Sequence, residues 1–244
     1  MADLKGKVAL VTGGARRLGR AIVEALAADG AKVAIHYHAS AESADETAAA
    51  VRAAGHESPE LFAADLTDAV QAEDLPRRVV TNLGRLDILI NSAAVMLRQP
   101  FGTVTSAQWD AVLNLNLRAY FFVAQGAAPA LRAARGAIVN ISDLAAHQVW
   151  PSYLPHTIAK SGIEALTRGL ARVLAPEVTV NAIAPGGVLL PDDTTAEEAA
   201  HTVAQVPLSR LGHPSDVTAA VRYLLASRYV TGTTMVIDGG RLLR

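Results

Sequence analysis

Cysteine is absent from the 244-residue sequence. This absence excludes disulfide bonds, thiolate metal sites and cysteine nucleophiles. The histidines give no metal-ligand pattern either, because His147, His201 and His213 are scattered and no two of them form a helix pair at metal-binding spacing. We therefore predict no metal site, and any redox chemistry would need a bound organic cofactor.

The chain also lacks an excess of basic charge and any long apolar run. Its formal net charge is -1, with 51% hydrophobic and 18% charged residues, a composition typical of packed globular proteins. Without a basic footprint, nucleic acid is not an expected partner. No run reaches membrane-spanning length, and the start of the chain lacks the pattern of a signal peptide. We expect a cytoplasmic protein.

Short runs rich in Val, Ile and Leu predict six strands. Continuous apolar runs of this length suit strands buried on both faces, and they lie at 7–11, 32–37, 86–90, 136–141, 178–183 and 233–237. Helical periodicity fills the segments between them, for example 18–28, 42–54, 108–131 and 161–174. The alternation predicts a single α/β domain over residues 1–244, a doubly wound parallel sheet with helices on both faces. Residues 185–199 form the longest irregular segment, either a lid or a surface excursion.

A glycine-bearing turn follows the first predicted strand and opens the first predicted helix. It reads TGGARRLG, residues 12–19. Such a turn lets the backbone approach a pyrophosphate, whose charge faces the free N–H groups and the positive dipole end of the helix. Because the motif lies between a strand and a helix near the start of an alternating α/β chain, it predicts dinucleotide binding.

Charge at the end of the second strand indicates which dinucleotide is bound. An NAD site carries a carboxylate there for the ribose 2′-hydroxyl, whereas the 2′-phosphate of NADP needs cations or hydrogen-bond donors. Residues 36–40 read HYHAS, without a carboxylate, and Arg16 and Arg17 lie in the glycine turn. An arginine fork suits a phosphate. The pattern favours NADP(H), the alternative being that both arginines are solvated surface charges.

Eight ordered segments resemble the short-chain dehydrogenase/reductase superfamily over nearly the whole chain. They are TGGARRLG (12–19), DLT (65–67), NSAA (91–94), WDAVLNLNL (109–117), VNISD (139–143), AK (159–160), NAIAPGG (181–187) and TGTTMVIDGG (231–240). Within the superfamily, Arg17, the run HYHAS and Asp143 in the position of a serine are similar to the pteridine reductase branch.

The resemblance implies a Rossmann-type fold, usually in a homotetramer, with NADP(H) lying along the carboxyl ends of the strands. Lys160 would hold the nicotinamide ribose, and Asn116 would position a backbone carbonyl and a water for proton relay. The expected catalytic residues are Asn116, Asp143, His156 and Lys160, with Tyr153 and Val188 near a small-molecule substrate. The expected cofactor-binding residues are Gly13, Arg16, Arg17, Leu18, Gly19, His36, Tyr37, His38, Ser40, Asp65, Leu66, Asn91, Ala93, Lys160, Pro185 and Gly186.

Two positions depart from the superfamily pattern. A tyrosine stands four residues before the lysine in the superfamily, and a serine stands thirteen before that tyrosine; here the residues are His156 and Asp143. His156 and Lys160 would share one helix face. An imidazole with an ordinary pKa of about 6.5 is able to deliver a proton near neutral pH. Tyr153 is the other candidate donor, because Pro155 fits only the first turn of a helix and would place both side chains on the same side.

Asp143 indicates the kind of bond that is reduced. An ionised carboxylate has no proton to donate and repels the alkoxide formed from a ketone, whereas it favours a ring nitrogen that gains a proton. The sequence therefore predicts an NADPH-dependent reductase acting on the C=N bond of a flat nitrogen heterocycle, such as a dihydropterin. A ketone reductase with a protonated Asp143 is the first alternative. The second, of another class, is a catalytically silent dinucleotide-binding protein that lost its tyrosine.

Overall fold

Seven parallel strands form one sheet in the computed structural model, which describes residues 3–190 and 194–244. The strand order is β3-β2-β1-β4-β5-β6-β7, and every neighbouring pair is parallel. The strands are β1 (Val8–Thr12), β2 (Lys32–Tyr37), β3 (Glu60–Ala63), β4 (Ile88–Asn91), β5 (Ala137–Ile141), β6 (Thr179–Pro185) and β7 (Thr234–Ile237). β1, β4 and β5 are buried along their whole length, as their unbroken apolar runs require.

Helices cover both faces of the sheet. They are α1 (Arg17–Ala28), α2 (Ala41–Ala53), α3 (Ala69–Leu83), α4 (Ser106–Leu113), α5 (Ala119–Ala134), α6 (Leu154–Leu174), α7 (Ala196–Ala204) and α8 (Pro214–Ala226). α1 packs against α2 and α8, and α3 packs against α5, so two apolar cores lie on opposite sides of the sheet. The predicted Rossmann-type α/β fold is confirmed.

The predicted elements agree with the structure to within a few residues, with two main differences. The predicted helix 108–131 is interrupted, because a π-helical turn at Asn114–Arg118 separates α4 from α5. The predicted helix 161–174 begins earlier, at Leu154, and Pro155 lies in its first turn as expected. The early start places His156 and Lys160 one turn apart on α6, with both side chains buried.

The irregular segment 185–199 falls partly outside the described residues, since 191–193 are not described. β6 ends at Pro185, and α7 begins at Ala196 behind a Thr195 cap. Among the described helices, none combines the length and the apolar character that crossing a membrane would need.

Candidate active site

A cleft of about 520 Å³ opens at the carboxyl edge of the sheet. It lies where the strand order changes direction between β1 and β4, the place where α/β sheets bind ligands, and its volume is within the range of small-molecule sites. Four predicted catalytic or substrate residues line it, namely Asp143, His156, Lys160 and Val188. The predicted cofactor residues that line it are Gly13, Arg16, Arg17, Leu18, Gly19, His36, Tyr37, His38, Ser40, Asp65, Leu66, Ala93, Lys160, Pro185 and Gly186.

The glycine turn forms one end of the cleft, and its backbone leaves no room for a side chain at Gly13 or Gly19. A Cβ atom on Gly19 would lie 2.1 Å from the Gly13 carbonyl oxygen, and one on Gly13 would lie 2.8 Å from the Ala93 Cα. Thr12 supports the turn, because its hydroxyl oxygen accepts hydrogen bonds from the backbone N–H groups of Ser92 and Ala93. Among the described residues, the side chain at the start of α1 makes no capping hydrogen bond, so the first N–H groups of this helix are available to an anion.

The His36 side chain holds the same turn by hydrogen bonds. Its Nδ1 accepts a hydrogen bond from the Gly13 N–H at 3.1 Å, and its Nε2 donates to the Ala64 carbonyl at 3.1 Å. Burial lowers the pKa of His36 to about 4, although the Ala64 carbonyl favours the protonated ring. The side chain is therefore neutral at physiological pH and fixes the turn; it supplies no cation for a phosphate.

The two arginines of the turn have different surroundings. Arg17 has a left-handed backbone (φ 52°), and its guanidinium donates to the carbonyls of Leu189 and Leu190 at 2.8 and 3.0 Å. These bonds connect the glycine turn to the segment that follows β6. Arg16 is exposed and lines the cleft. Arg17 is also exposed and lines the cleft, so the two arginines differ in the contacts of Arg17 with the segment after β6.

The reactive end of the cleft contains a buried lysine. The Lys160 ammonium donates to the Ile141 carbonyl at 2.8 Å and is almost fully buried. Burial lowers the pKa of Lys160 from 10.5 to about 8, and the charge of Asp143 partly opposes this fall. A group with this pKa exchanges its proton readily near neutral pH.

Asp143 and His156 lie beside this lysine. Asp143 Oδ1 accepts the Ala145 N–H at 2.8 Å, which turns Oδ2 toward His156. His156 Nε2 lies 3.7 Å from that oxygen, too far for a hydrogen bond. Nε2 is buried and has no hydrogen-bond partner among the described residues. A buried polar atom in this state at a cleft wall indicates a position for a ligand.

Asn116 contacts the other ring nitrogen of His156. The π-helical turn contains Asn116, whose carboxamide accepts the Val95 N–H at 2.8 Å and donates to the Val95 carbonyl at 2.7 Å. Asn116 Nδ2 lies 3.2 Å from His156 Nδ1. The side chain is fully buried behind the cleft wall, so it acts on the site through His156. π-helical turns are frequent at functional sites, and this one places the amide between two elements.

Two predicted residues lie elsewhere. Tyr153 is the residue directly before α6, its ring contacts Trp150 edge-on with the centroids 6.2 Å apart, and it is not among the residues that line the cleft; its role as a proton donor stays a prediction. Asn91 lies behind the cleft wall, because its amide donates to Asn140 Oδ1 across the sheet. The sequence analysis missed the hydrogen bonds of Thr12, although its position directly before two glycines was a usable signal. It also missed the contact of the Val95 backbone with Asn116, for which the sequence carried no signal.

Comparison with known proteins shows what the whole chain is similar to. The family model described as enoyl-(acyl carrier protein) reductase matches residues 13–241. The 3-oxoacyl-[acyl-carrier-protein] reductase FabG of Staphylococcus aureus is 34% identical over 242 residues, covering 96% of this chain and 97% of the relative. A short-chain dehydrogenase/reductase from Serratia marcescens superposes with a TM-score of 0.91 at 35% identity, covering 99% and 100% of the two chains. A blue fluorescent protein from a metagenomic library, solved with NADPH, superposes with a TM-score of 0.90 at 33% identity, covering 98% and 99%.

Proposed function

Since the chain belongs to the short-chain dehydrogenase/reductase superfamily and is an NAD(P)-dependent oxidoreductase, we propose that it is an NADPH-dependent reductase of a ketone carbonyl. The observation that carries the proposal is made on His156, which lines the cleft and whose buried Nε2 has no hydrogen-bond partner among the described residues. A substrate atom that accepts a hydrogen bond would satisfy it.

The relatives favour the carbonyl alternative over the C=N bond that the sequence predicted, because the curated relatives include 3-oxoacyl reductases. The contacts of Asp143 also weaken the objection to a ketone. The Ala145 N–H holds one carboxylate oxygen, and the charge of Asp143 interacts favourably with buried Lys160. An alkoxide formed nearby would therefore face a cation as well as a carboxylate. Reduction of C=N remains the second candidate function, supported by the short separation of Asp143 and His156.

The cleft fits NADPH on its own geometry. The close-packed glycines of the turn and the start of α1, which no side chain caps, suit the pyrophosphate, and Lys160 suits the nicotinamide ribose. When bound, the cofactor supplies a hydride. The chain's own residues bind and orient it, and they hold the substrate oxygen and its proton. Homotetrameric assembly and a cytoplasmic location stay predictions.

We expect Arg16→Ala to weaken NADPH binding by roughly 10- to 100-fold, the value of one charge-assisted hydrogen bond to a phosphate. Binding of NADH, which lacks the 2′-phosphate, should change by less than about threefold. Fluorescence titration of both nucleotides measures the two dissociation constants. Arg20→Ala is the matched control. It also removes one positive charge near the start of α1, but Arg20 pairs with Glu24 and does not line the cleft. Equal losses for NADPH and NADH would contradict the assignment of Arg16 to the phosphate.

A substrate panel tests the reaction. The purified protein with excess NADPH is offered 3-oxo esters and cyclic ketones in parallel with cyclic imines and a dihydropterin, and NADPH consumption is followed by absorbance. We expect turnover of ketones, with imines slower by about tenfold or more, the difference produced by roughly 1.4 kcal/mol in transition-state binding. Turnover of imines alone would replace the proposal by the second candidate, and turnover of neither would indicate a different substrate class.

A further inference from the structure

The Asn116 carboxamide has only one possible orientation. Its oxygen accepts the Val95 N–H, and its nitrogen donates to the Val95 carbonyl. Rotating the amide by half a turn would set donor against donor and acceptor against acceptor at both contacts. The atom that faces His156 Nδ1 at 3.2 Å is therefore the amide nitrogen, which donates only.

This orientation determines where the His156 ring carries its proton. A nitrogen that accepts from an N–H group must itself be unprotonated, so Nδ1 carries a lone pair. In the neutral ring the proton is then on Nε2, the buried atom that has no hydrogen-bond partner among the described residues; the His156 residue itself lines the cleft. A doubly protonated ring would direct Nδ1–H against the Asn116 N–H. Asp143 Oδ2 lies 3.7 Å from Nε2, and Lys160 follows His156 by one turn of α6, so charges of both signs lie in this part of the site.

We propose that His156 acts as a neutral N–H donor to the substrate oxygen, that Asn116 is the positioning residue that fixes this tautomer, and that Lys160 carries the proton that the product receives. This proposal rests on the proposed function. His156 is a poor acid here, because loss of its single proton would leave an imidazolate anion. Asp143, when ionised, has none to give. Tyr153 is not among the residues that line the cleft, so among the described ionisable residues at the reactive end the ammonium of Lys160 is the group with a transferable proton.

The proposed step is balanced. As the carbonyl carbon receives the hydride, the π electrons of the C=O bond move to the oxygen, which the His156 Nε2–H holds. The oxygen then takes a proton from the Lys160 ammonium, so an O–H bond forms and an N–H bond breaks. Water returns a proton to the lysine amine. Burial keeps the pKa of Lys160 near 8, which suits a group that loses and regains its proton at each turnover.

Nitrogen NMR of protein labelled with ¹⁵N-histidine tests the tautomer without substrate or turnover. We expect the spectrum of the unaltered protein to show His156 with an unprotonated Nδ1 and a protonated Nε2, its signals being identified by their loss in His156→Gln. A proton on Nδ1, alone or in an imidazolium, would overturn the proposal. If the expected tautomer is found but no ketone is reduced, the proposed function fails while the tautomer assignment stands, so the two failures are distinguishable.

Two Asn116 variants test the cause of the tautomer. Asn116→Asp places a carboxylate oxygen opposite Nδ1, and we expect Nδ1 to become protonated. Asn116→Ala removes the contact without replacing it, and we expect a mixture of tautomers. Activity should fall through kcat more than through KM in the aspartate variant, because the altered group acts on His156. An unchanged His156 spectrum in both variants would refute the positioning role, and the spectrum of the unaltered protein decides the tautomer even if a variant fails to fold.

Discussion

Lys160→Met is expected to lower kcat by about 10³-fold at pH 7, within the range for loss of a general acid, and at the same time to stabilise the folded chain. The two effects have the same cause. The ammonium is almost fully buried, and burial lowers the pKa of Lys160 from 10.5 to about 8, so the fold holds a charge that would be more stable in water.

The size and pH dependence of the stabilisation follow from that pKa. The fall of the Lys160 pKa from 10.5 to about 8 corresponds to a destabilisation of roughly 3 kcal/mol, which Lys160→Met removes. The variant also loses the hydrogen bond to the Ile141 carbonyl, which costs about 1 kcal/mol. Its free energy of unfolding should therefore be higher by about 2 kcal/mol at pH 7. Below pH 8 the lysine is protonated in both the folded and the unfolded chain, and the cost is fully present. Between pH 8 and 10.5 the unfolded chain binds more protons, so the unaltered protein becomes more stable as pH rises and the advantage of the variant disappears.

Denaturant unfolding at pH 7 and pH 10 measures the change in stability, and kcat at saturating cofactor, with saturation established by NADPH titration, measures the change in activity. Lys7→Met is the control, because Lys7 is exposed and its replacement should leave the pH dependence of stability unchanged. Lys160→Arg keeps the cation but cannot release a proton near neutral pH, so it should lose activity without gaining stability. Near-normal turnover in Lys160→Arg would contradict proton transfer from this position.

The strand positions could be predicted from the sequence because strands that are buried on both faces consist mostly of apolar residues. β2 has the predicted bounds, and most other predicted strands differ by one or two residues at either end. β3 was missed, since its four residues include Glu60 and exposed Ala63 and form no continuous apolar run. The interruption of the helix after α4 was missed for another reason: the π-helical turn is held by Asn116 bonding to the backbone of Val95, a tertiary contact that local periodicity cannot reveal.

The same distinction applies to the site. Spacing along α6 was sufficient to place His156 and Lys160 on one face, and the position of Asp143 after β5 brought it to the same strand edge. The sequence could not give the direction of the Tyr153 ring, which depends on where α6 begins. It also left open which ring nitrogen of His156 contacts Asn116, whose amide is held by Val95, 21 residues away along the chain. Residue types and spacing therefore predicted most of the residues that line the cleft, whereas the roles we propose for them depend on hydrogen-bond direction.

Substitutions of His156 separate hydrogen-bond donation from proton transfer. We expect His156→Leu to lower kcat/KM by about 10²- to 10³-fold, the usual loss when one donor to a developing oxyanion is removed. His156→Gln retains a neutral N–H donor that does not act as an acid, and it should recover at least about tenfold of that loss.

In both variants the decline of kcat/KM as pH rises through about 8 should persist, because it follows deprotonation of Lys160 and not of residue 156. Steady-state kinetics from pH 6 to 9.5 with one ketone measures both quantities. Two results would contradict this assignment: a His156→Gln variant as inactive as His156→Leu, or loss of the decline in kcat/KM near pH 8 in either variant. His156, and not Lys160, would then deliver the proton. The opposite result, activity in His156→Gln with an unchanged decline of kcat/KM near pH 8, would support the proposed roles. The imidazole would then replace the hydrogen bond that a phenol provides in this superfamily. The buried lysine one turn further along α6 would replace the acidity of the phenol.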